Sequence, residues 1–213
     1  MKRLVTRRPI KAAVFILCLG PLFLLGWAGL HNGLGANPIE KITHATGDWT
    51  MRFLLITLAI TPLRKLSGLS ELIRFRRMLG LYASFYGVLH FTTYLWLDKF
   101  FEWPEIWKDI YKRPFITIGF LSFVLMIPLA LTSTAGWIRR LGGARWRWLH
   151  RLVYVSGVAG VIHYYWLVKS DIRGPLLYAG ILFVLLVYRA VSTLRERLPQ
   201  HPFPAAGTRS TPS

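Results

Sequence analysis

The sequence predicts an all-α fold, a six-span transmembrane helical bundle with both termini cytoplasmic. Three observations predict it. Of the 213 residues 54% are hydrophobic and only 17% charged. The mean hydropathy is +0.41. The apolar residues gather into six runs near the ~20 residues that a helix needs to cross a bilayer. The net charge of +18 raises nucleic acid as a partner. The basic residues punctuate apolar runs, however, and no soluble stretch is long enough for a nucleic-acid module, so the expected partner is the lipid bilayer and not nucleic acid.

The first run, 12–31, follows Lys2, Arg3, Arg7, Arg8 and Lys11 and is long enough to be a retained span rather than a cleaved signal. It holds the only cysteine, Cys18. One thiol excludes disulfide frameworks, thiolate zinc sites and cysteine-held iron–sulfur clusters within the chain. Next comes HNGLGANPIEK, where Gly33, Gly35 and Asn37 before Pro38 read as a tight loop, with His31 and His44 in the same outer region. The second run, 50–66, is the weakest, because Pro62 and Arg64 close it early. The third, 78–97, contains His90. A loop over 98–114 carries Phe100, Phe101, Trp103, Trp107 and Tyr111, suited to an aromatic belt at the outer interface or to docking a partner. The fourth run is 115–134, the fifth 149–168 with His150 at its start and His163 inside it, and the sixth 175–191. The expected domain is 1–195. The Pro/Ser/Thr-rich tail 196–213, with His201, reads as disordered.

Charge sets the orientation. The N-terminus, Arg64–Arg77, Arg139–Arg151 and the tail from Arg189 hold most of the 27 basic residues against only Glu71 and Glu196. The intervening loops are nearly neutral, with Glu40, Asp48, Asp98, Glu102, Glu105, Asp109 and Asp171. The positive-inside rule then places the basic loops in the cytoplasm and the neutral ones in the periplasm.

Within this frame the histidines acquire depths. His90 lies twelve residues into the third span and His163 fourteen into the fifth, ~18 and ~21 Å from the cytoplasmic end at 1.5 Å per residue. An ionisable ring in lipid is costly without a partner, and two rings at matched height are what axial ligation of a low-spin b-type haem requires. Gly87, Gly157, Ala159 and Gly160 are small enough to admit a flat macrocycle, although such residues also serve helix packing. The competing reading is a polar contact between helices, with Tyr86, Tyr94 or Tyr164 stacked on a histidine. His150 lies ~20 Å below His163. A lower haem there would want a histidine where Arg76 and Arg77 stand, and arginine is a poor iron ligand but a good partner for propionate or phosphate. Three readings of His150 stay open: ligand of a lower haem, hydrogen-bonding residue of a cytoplasmic-side cofactor, or interfacial histidine. There is no HExxH motif and no intramembrane carboxylate, so a metallopeptidase or proton-coupled transporter lacks its ligands and base.

Several segments are distinctive together: HNGLGANPIEKITHATG at 31–47, TPLRKL at 61–66, IRFRRMLGLYASFYGVLHFTTY at 73–94, YKRPFITIGF at 111–120, LALTS at 129–133 and WRWLHRLVYVSGVAGVIHY at 146–164. Over residues 10–195 the chain resembles the haem-binding membrane subunits of the bacterial methionine sulfoxide reductase system, within the ferric-reductase-like transmembrane group. The resemblance implies haem b on His90 and His163, with His150 matching the third membrane histidine. The wider group commonly holds two haems on two histidine pairs; here Arg76 or Arg77 stands where the fourth histidine is expected, a departure from the two-haem pattern, and the resemblance also implies FMN. It also implies a periplasmic molybdopterin-containing methionine sulfoxide reductase as electron acceptor, which would carry the reductase active site. The donor would be a cytoplasmic NAD(P)H flavin reductase or membrane quinol. The basic loops, through Arg74, Arg76, Arg77, Arg145, Arg147 and Arg151, would offer phosphate-binding charge, although the positive-inside rule explains most of them. The alternatives are a ferric or quinone-linked reductase component working with another partner, since the tail after Arg189 is too short for a flavin and nicotinamide module, and a non-redox membrane scaffold.

Overall fold

The computed structural model describes residues 7–168 and 170–197. They form eight helical segments: α1 (Arg7–Leu30), α2 (Pro38–Ser67), α3 (Ile73–Thr92), α4 (Trp103–Lys112), α5 (Pro114–Leu131), α6 (Ala135–Leu149, kinked at Gly142, whose φ is 73°), α7 (Leu152–Leu167) and α8 (Arg173–Arg197). A helix overlaps each of the six apolar runs. Residues 198–213 of the expected disordered tail, with His201, lie outside the described residues, and Glu196 and Arg197 belong to α8.

Three departures from the expected elements have local causes. The supposed loop before residue 50 is helical from Pro38, because Asn37 and Glu40 cap each other: Asn37 Oδ1 accepts from the Glu40 N–H (3.2 Å) and Asn37 Nδ2 donates to Glu40 Oε2 (2.9 Å). Pro38 supplies a first-turn residue that needs no donor. His44 is therefore an exposed helical residue and not part of a loop. The helix ends at Gly68, whose φ of 70° is a left-handed cap that a β-carbon would strain. The third element leaves α geometry after Thr92, continuing as a π-helical turn over Thr93–Asp98. Two consecutive left-handed residues then follow, Phe100 and Phe101, with φ of 47° and 60°. His150 ends α6 instead of opening the fifth run, and α7 starts at Leu152.

By length and composition three helices among the described residues are apolar enough to cross a membrane: Pro9–Leu30, Pro114–Leu131 and Arg173–Glu196. This is fewer than the six expected. α2 carries Asp48 and Arg52, α3 begins with Arg74, Arg76 and Arg77, and α7 has only 16 residues. These are also helices whose buried faces point at one another, so less of their surface needs to suit lipid. α1 and α8 show the converse: Ile16 (66%), Leu17 (73%), Phe183 (68%) and Val184 (64%) are exposed, the outward apolar surface expected against acyl chains.

Two helix pairs organise the bundle. α2 packs along α3 and α5 along α7; α3 against α5 and α2 against α7 join the pairs, and α8 closes over α7 and α2. Ser122 and Ser156 lock α5 to α7 reciprocally, each hydroxyl donating to the other's carbonyl (2.8 and 3.0 Å), with Ser156 fully buried. At the basic end Lys65 ties α2 to Ser192 and Glu196 of α8 (2.6 and 2.7 Å).

α1 is held by tyrosines of α3. Pro21 lacks an N–H and opens the helix turn around it. Beside that turn the Tyr86 hydroxyl donates to the Cys18 carbonyl (2.9 Å) and accepts from the Leu22 N–H (3.2 Å), while Tyr82 donates to the Phe15 carbonyl (2.8 Å). Tyr86 is only 1% exposed, so Tyr86→Phe leaves backbone groups short of a partner and should cost about 1–3 kcal/mol. Thermal denaturation in detergent checks this; an unchanged midpoint would mean that the hydroxyl does not hold α1.

Candidate functional site

His90 on α3 and His163 on α7 come together although 73 residues separate them. Their ring centroids are 6.1 Å apart, at an interplanar angle of 74°. Each ring is anchored from the helix paired with its own. His90 Nδ1 donates to the Thr43 carbonyl of α2 (2.9 Å), and His163 Nδ1 to the Phe115 carbonyl of α5 (2.6 Å). A backbone carbonyl can only accept, so both bonds require hydrogen on Nδ1 and leave the lone pair on Nε2. This is the arrangement by which metal-binding imidazoles are oriented and made more basic.

The separation suits a metal atom. Two imidazoles each coordinating from ~2 Å on opposite sides of one ion place their ring centres about 6 Å apart. Two nitrogen donors complete the shell only of a metal that brings its other ligands with it, as haem iron does. Among the described residues no group of three or more His, Cys, Asp or Glu side chains is placed to hold an ion.

The tyrosines considered as stacking partners are engaged elsewhere. Tyr86 holds α1, Tyr94 donates to Asp109 (3.4 Å), and Tyr164 lies 5.8 Å from the Tyr178 ring. The small residues expected to admit a macrocycle instead admit side chains of neighbouring helices. A β-carbon on Gly87 would meet Met126 Cε at 2.6 Å, on Gly160 Met51 Sδ at 2.8 Å, and on Gly157 Leu54 Cδ2 at 3.2 Å. Ala159 is buried. These positions bring helices together, as small residues do in lipid. The partners that sequence reasoning missed are the Thr43 and Phe115 carbonyls, which no residue identity reports.

His150 stands apart. Its ring stacks on Trp146 at 3.8 Å, and its Nδ1 donates to the Trp146 carbonyl (3.1 Å). Its Nε2 is buried without a close hydrogen bond, with the Leu129 backbone of α5 within reach of the ring. Half-buried Arg76 is within electrostatic range of it, as are Arg189, Arg64 and Tyr154 of Arg76. Arg189 stacks over Tyr154, donates to its hydroxyl, and donates to Thr61 Oγ1 (3.2 Å). Arg77 is exposed and does not join this group. His31 stacks on Trp27 at 4.0 Å, an exposed contact within α1 and the turn after it.

Opposite the basic end, Asp109 fastens α4 to the end of the third element. Its carboxylate, on a residue 5% exposed, pairs with Lys99 (2.6 Å) and Arg113 (3.3 Å). Trp103, Trp107 and Tyr111 project from α4 on the exposed side.

The described helices make a membrane protein's apolar-surfaced bundle around two carbonyl-anchored histidines. Residues 46–161 match the family described as ferric reductase like transmembrane component. Three relatives each bear the name protein-methionine-sulfoxide reductase heme-binding subunit MsrQ. That of Herminiimonas arsenicoxydans is 55% identical over 190 residues, 88% of this chain and 87% of its own. That of Xanthomonas campestris pv. campestris (strain 8004) is 53% identical over 193 residues, 88% of each chain. That of Ralstonia nicotianae is 53% identical over 184 residues, 85% of each. The chain belongs to the MsrQ family, within the ferric-reductase-like transmembrane proteins, and is a multi-pass inner-membrane protein.

Proposed function

We propose that this chain is the membrane redox subunit of a protein-methionine-sulfoxide reductase system, holding b-type haem between His90 and His163. The observation that carries the reading is the ring pair 6.1 Å apart, with both Nδ1 atoms committed to carbonyls. Haem, when bound, supplies reversible one-electron chemistry. The chain's part is to leave an Nε2 lone pair free on each ring, hold the rings against rotation and keep them among apolar helices. The relatives' names support the link to methionine sulfoxide reduction. The acceptor is then a periplasmic molybdopterin-containing reductase subunit with its own active site, and the donor a cytoplasmic NAD(P)H flavin reductase or membrane quinol.

In this reading six helices cross the membrane, namely α1, α2, α3, α5, α7 and α8, and both termini face the cytoplasm. Support comes from the basic residues gathered at Arg64–Arg77 and Arg139–Arg151 against the acidic residues near α4. Residues 1–195 make the haem-binding domain. His150 with Arg76 forms a second cofactor position near the basic end, for a lower haem or FMN. The buried Nε2 and the nearby Arg76 charge support a ligand or hydrogen-bonding role over a merely interfacial one. Arg77, exposed, contributes surface charge there.

Cofactor extraction tests both positions. Wild-type protein should yield haem, and His150→Ala should lose a second haem or the flavin while keeping the His90–His163 haem at full stoichiometry. Unchanged haem and flavin content in His150→Ala would assign His150 to structure alone. Protein purified without haem or flavin would favour the scaffold reading.

A further inference from the structure

The two anchoring bonds share a register. His90 bonds the carbonyl of Thr43 and lies against Gly47; His163 bonds the carbonyl of Phe115 and lies against Gly119. In each case the glycine is four residues after the acceptor, on the helix paired with the histidine's own.

Helix geometry explains why. The carbonyl of residue i already accepts the N–H of residue i+4, so a histidine must use its second lone pair. Every Cα–Cβ bond tilts toward the helix N-terminus, which lays the β-carbon of residue i+4 over that carbonyl. At Thr43 and Phe115 the histidine ring reaches the oxygen through the space that a side chain on residue i+4 would fill. The distances show how closely the rings occupy the space. A β-carbon on Gly119 would lie 2.5 Å from His163 Nδ1 and 2.8 Å from Cε1; one on Gly47 would lie 3.1 Å from both Nδ1 and Cε1 of His90. At Gly119 these are ring atoms of a residue held from its own backbone, not the far end of a flexible chain, so the ring must move. The contrast with Gly20 and Gly180, where a β-carbon meets nothing within 4 Å, shows that this is not a general property of the helix glycines.

We infer that Gly119 and Gly47 are positioning residues for the haem ligands, each opening a notch through which an imidazole Nδ1–H reaches a helix carbonyl. The inference rests on the proposed ligation by His90 and His163. The notch fixes the tautomer with the lone pair on Nε2 and gives the ring partial imidazolate character, which favours the oxidised state of a bound metal. Occluding the notch should push the ring off its carbonyl and raise the midpoint potential.

The test compares Gly119→Ala, Gly47→Ala and the control Gly180→Ala in the full-length, haem-loaded protein, by redox titration and low-temperature electron paramagnetic resonance. Gly119→Ala should raise the midpoint potential and shift the low-spin ferric g values, or release the haem while helical content is kept. Gly47→Ala, with its looser contact, should do the same to a smaller degree and carries the test if Gly119→Ala fails to fold. Gly180→Ala should match wild type. Wild-type potential and g values in Gly119→Ala or, where that variant does not fold, in Gly47→Ala overturn the inference. Failure of the underlying ligation is seen separately, as a wild-type protein without a low-spin haem signal.

Discussion

His90→Ala and His163→Ala should each abolish the low-spin haem spectrum completely. Neither ring has a substitute: His150 stacks on Trp146 at the end of α6, and His44 is exposed on α2. One remaining axial imidazole leaves an iron high-spin or lets the macrocycle go, so the loss should be all-or-none in each single variant. His163→Gly offers a sharper form, because a truncated ligand leaves room for free imidazole to restore the spectrum. Visible absorbance of the purified variants, with and without imidazole, checks both. Low-spin bands in either alanine variant at wild-type intensity would move the ligation elsewhere.

Asp109→Ala should loosen the outer segment by about 3 kcal/mol, the usual cost of removing one partner from a buried ion pair. Lys99 is then left with its side chain only 17% exposed. Burial pushes the Asp109 carboxyl up, but the Lys99 and Arg113 charges and the Tyr94 hydroxyl outweigh it and hold the group below its ordinary range. The sign follows: a depressed carboxyl stabilises the folded form above its unfolded value of about 4 and loses that contribution as pH falls through the lower folded value. Limited trypsin digestion of wild-type protein should therefore slow at neutral pH relative to Asp109→Ala at Lys99, Lys108 and Lys112. The haem spectrum should stay unchanged, because Asp109 touches neither ring. Equal cleavage rates would mean that the cluster does not hold α4.

The meeting of His90 and His163 was legible because helical rise converts position in a span to depth, and two residues of one type at one depth are rare in an apolar chain. The family was legible from segments such as THATG and FITIG, whose residues turn out to carry the carbonyls and glycines under both rings. Their role was not legible. Gly87, Gly157 and Gly160 are near the histidines in sequence but face Met126, Leu54 and Met51, whereas Gly47 and Gly119 belong to other helices and meet the rings only through tertiary packing. The early start of α2 was written in Asn37, Pro38 and Glu40, a capping signature masked by the low hydropathy of the turns that follow. The burial of His150 Nε2 depends on which way its ring turns, which Trp146 decides.

The central claim is that one metal centre lies between α3 and α7 with imidazole nitrogen on both sides. Low-temperature electron paramagnetic resonance of the oxidised protein, with wild type beside His90→Ala and His163→Ala and with His150→Ala as reference, tests it most directly. The account predicts a low-spin ferric signal of bis-imidazole type that vanishes in both of the first two variants and persists in the third. The same signal surviving in either His90→Ala or His163→Ala would contradict it.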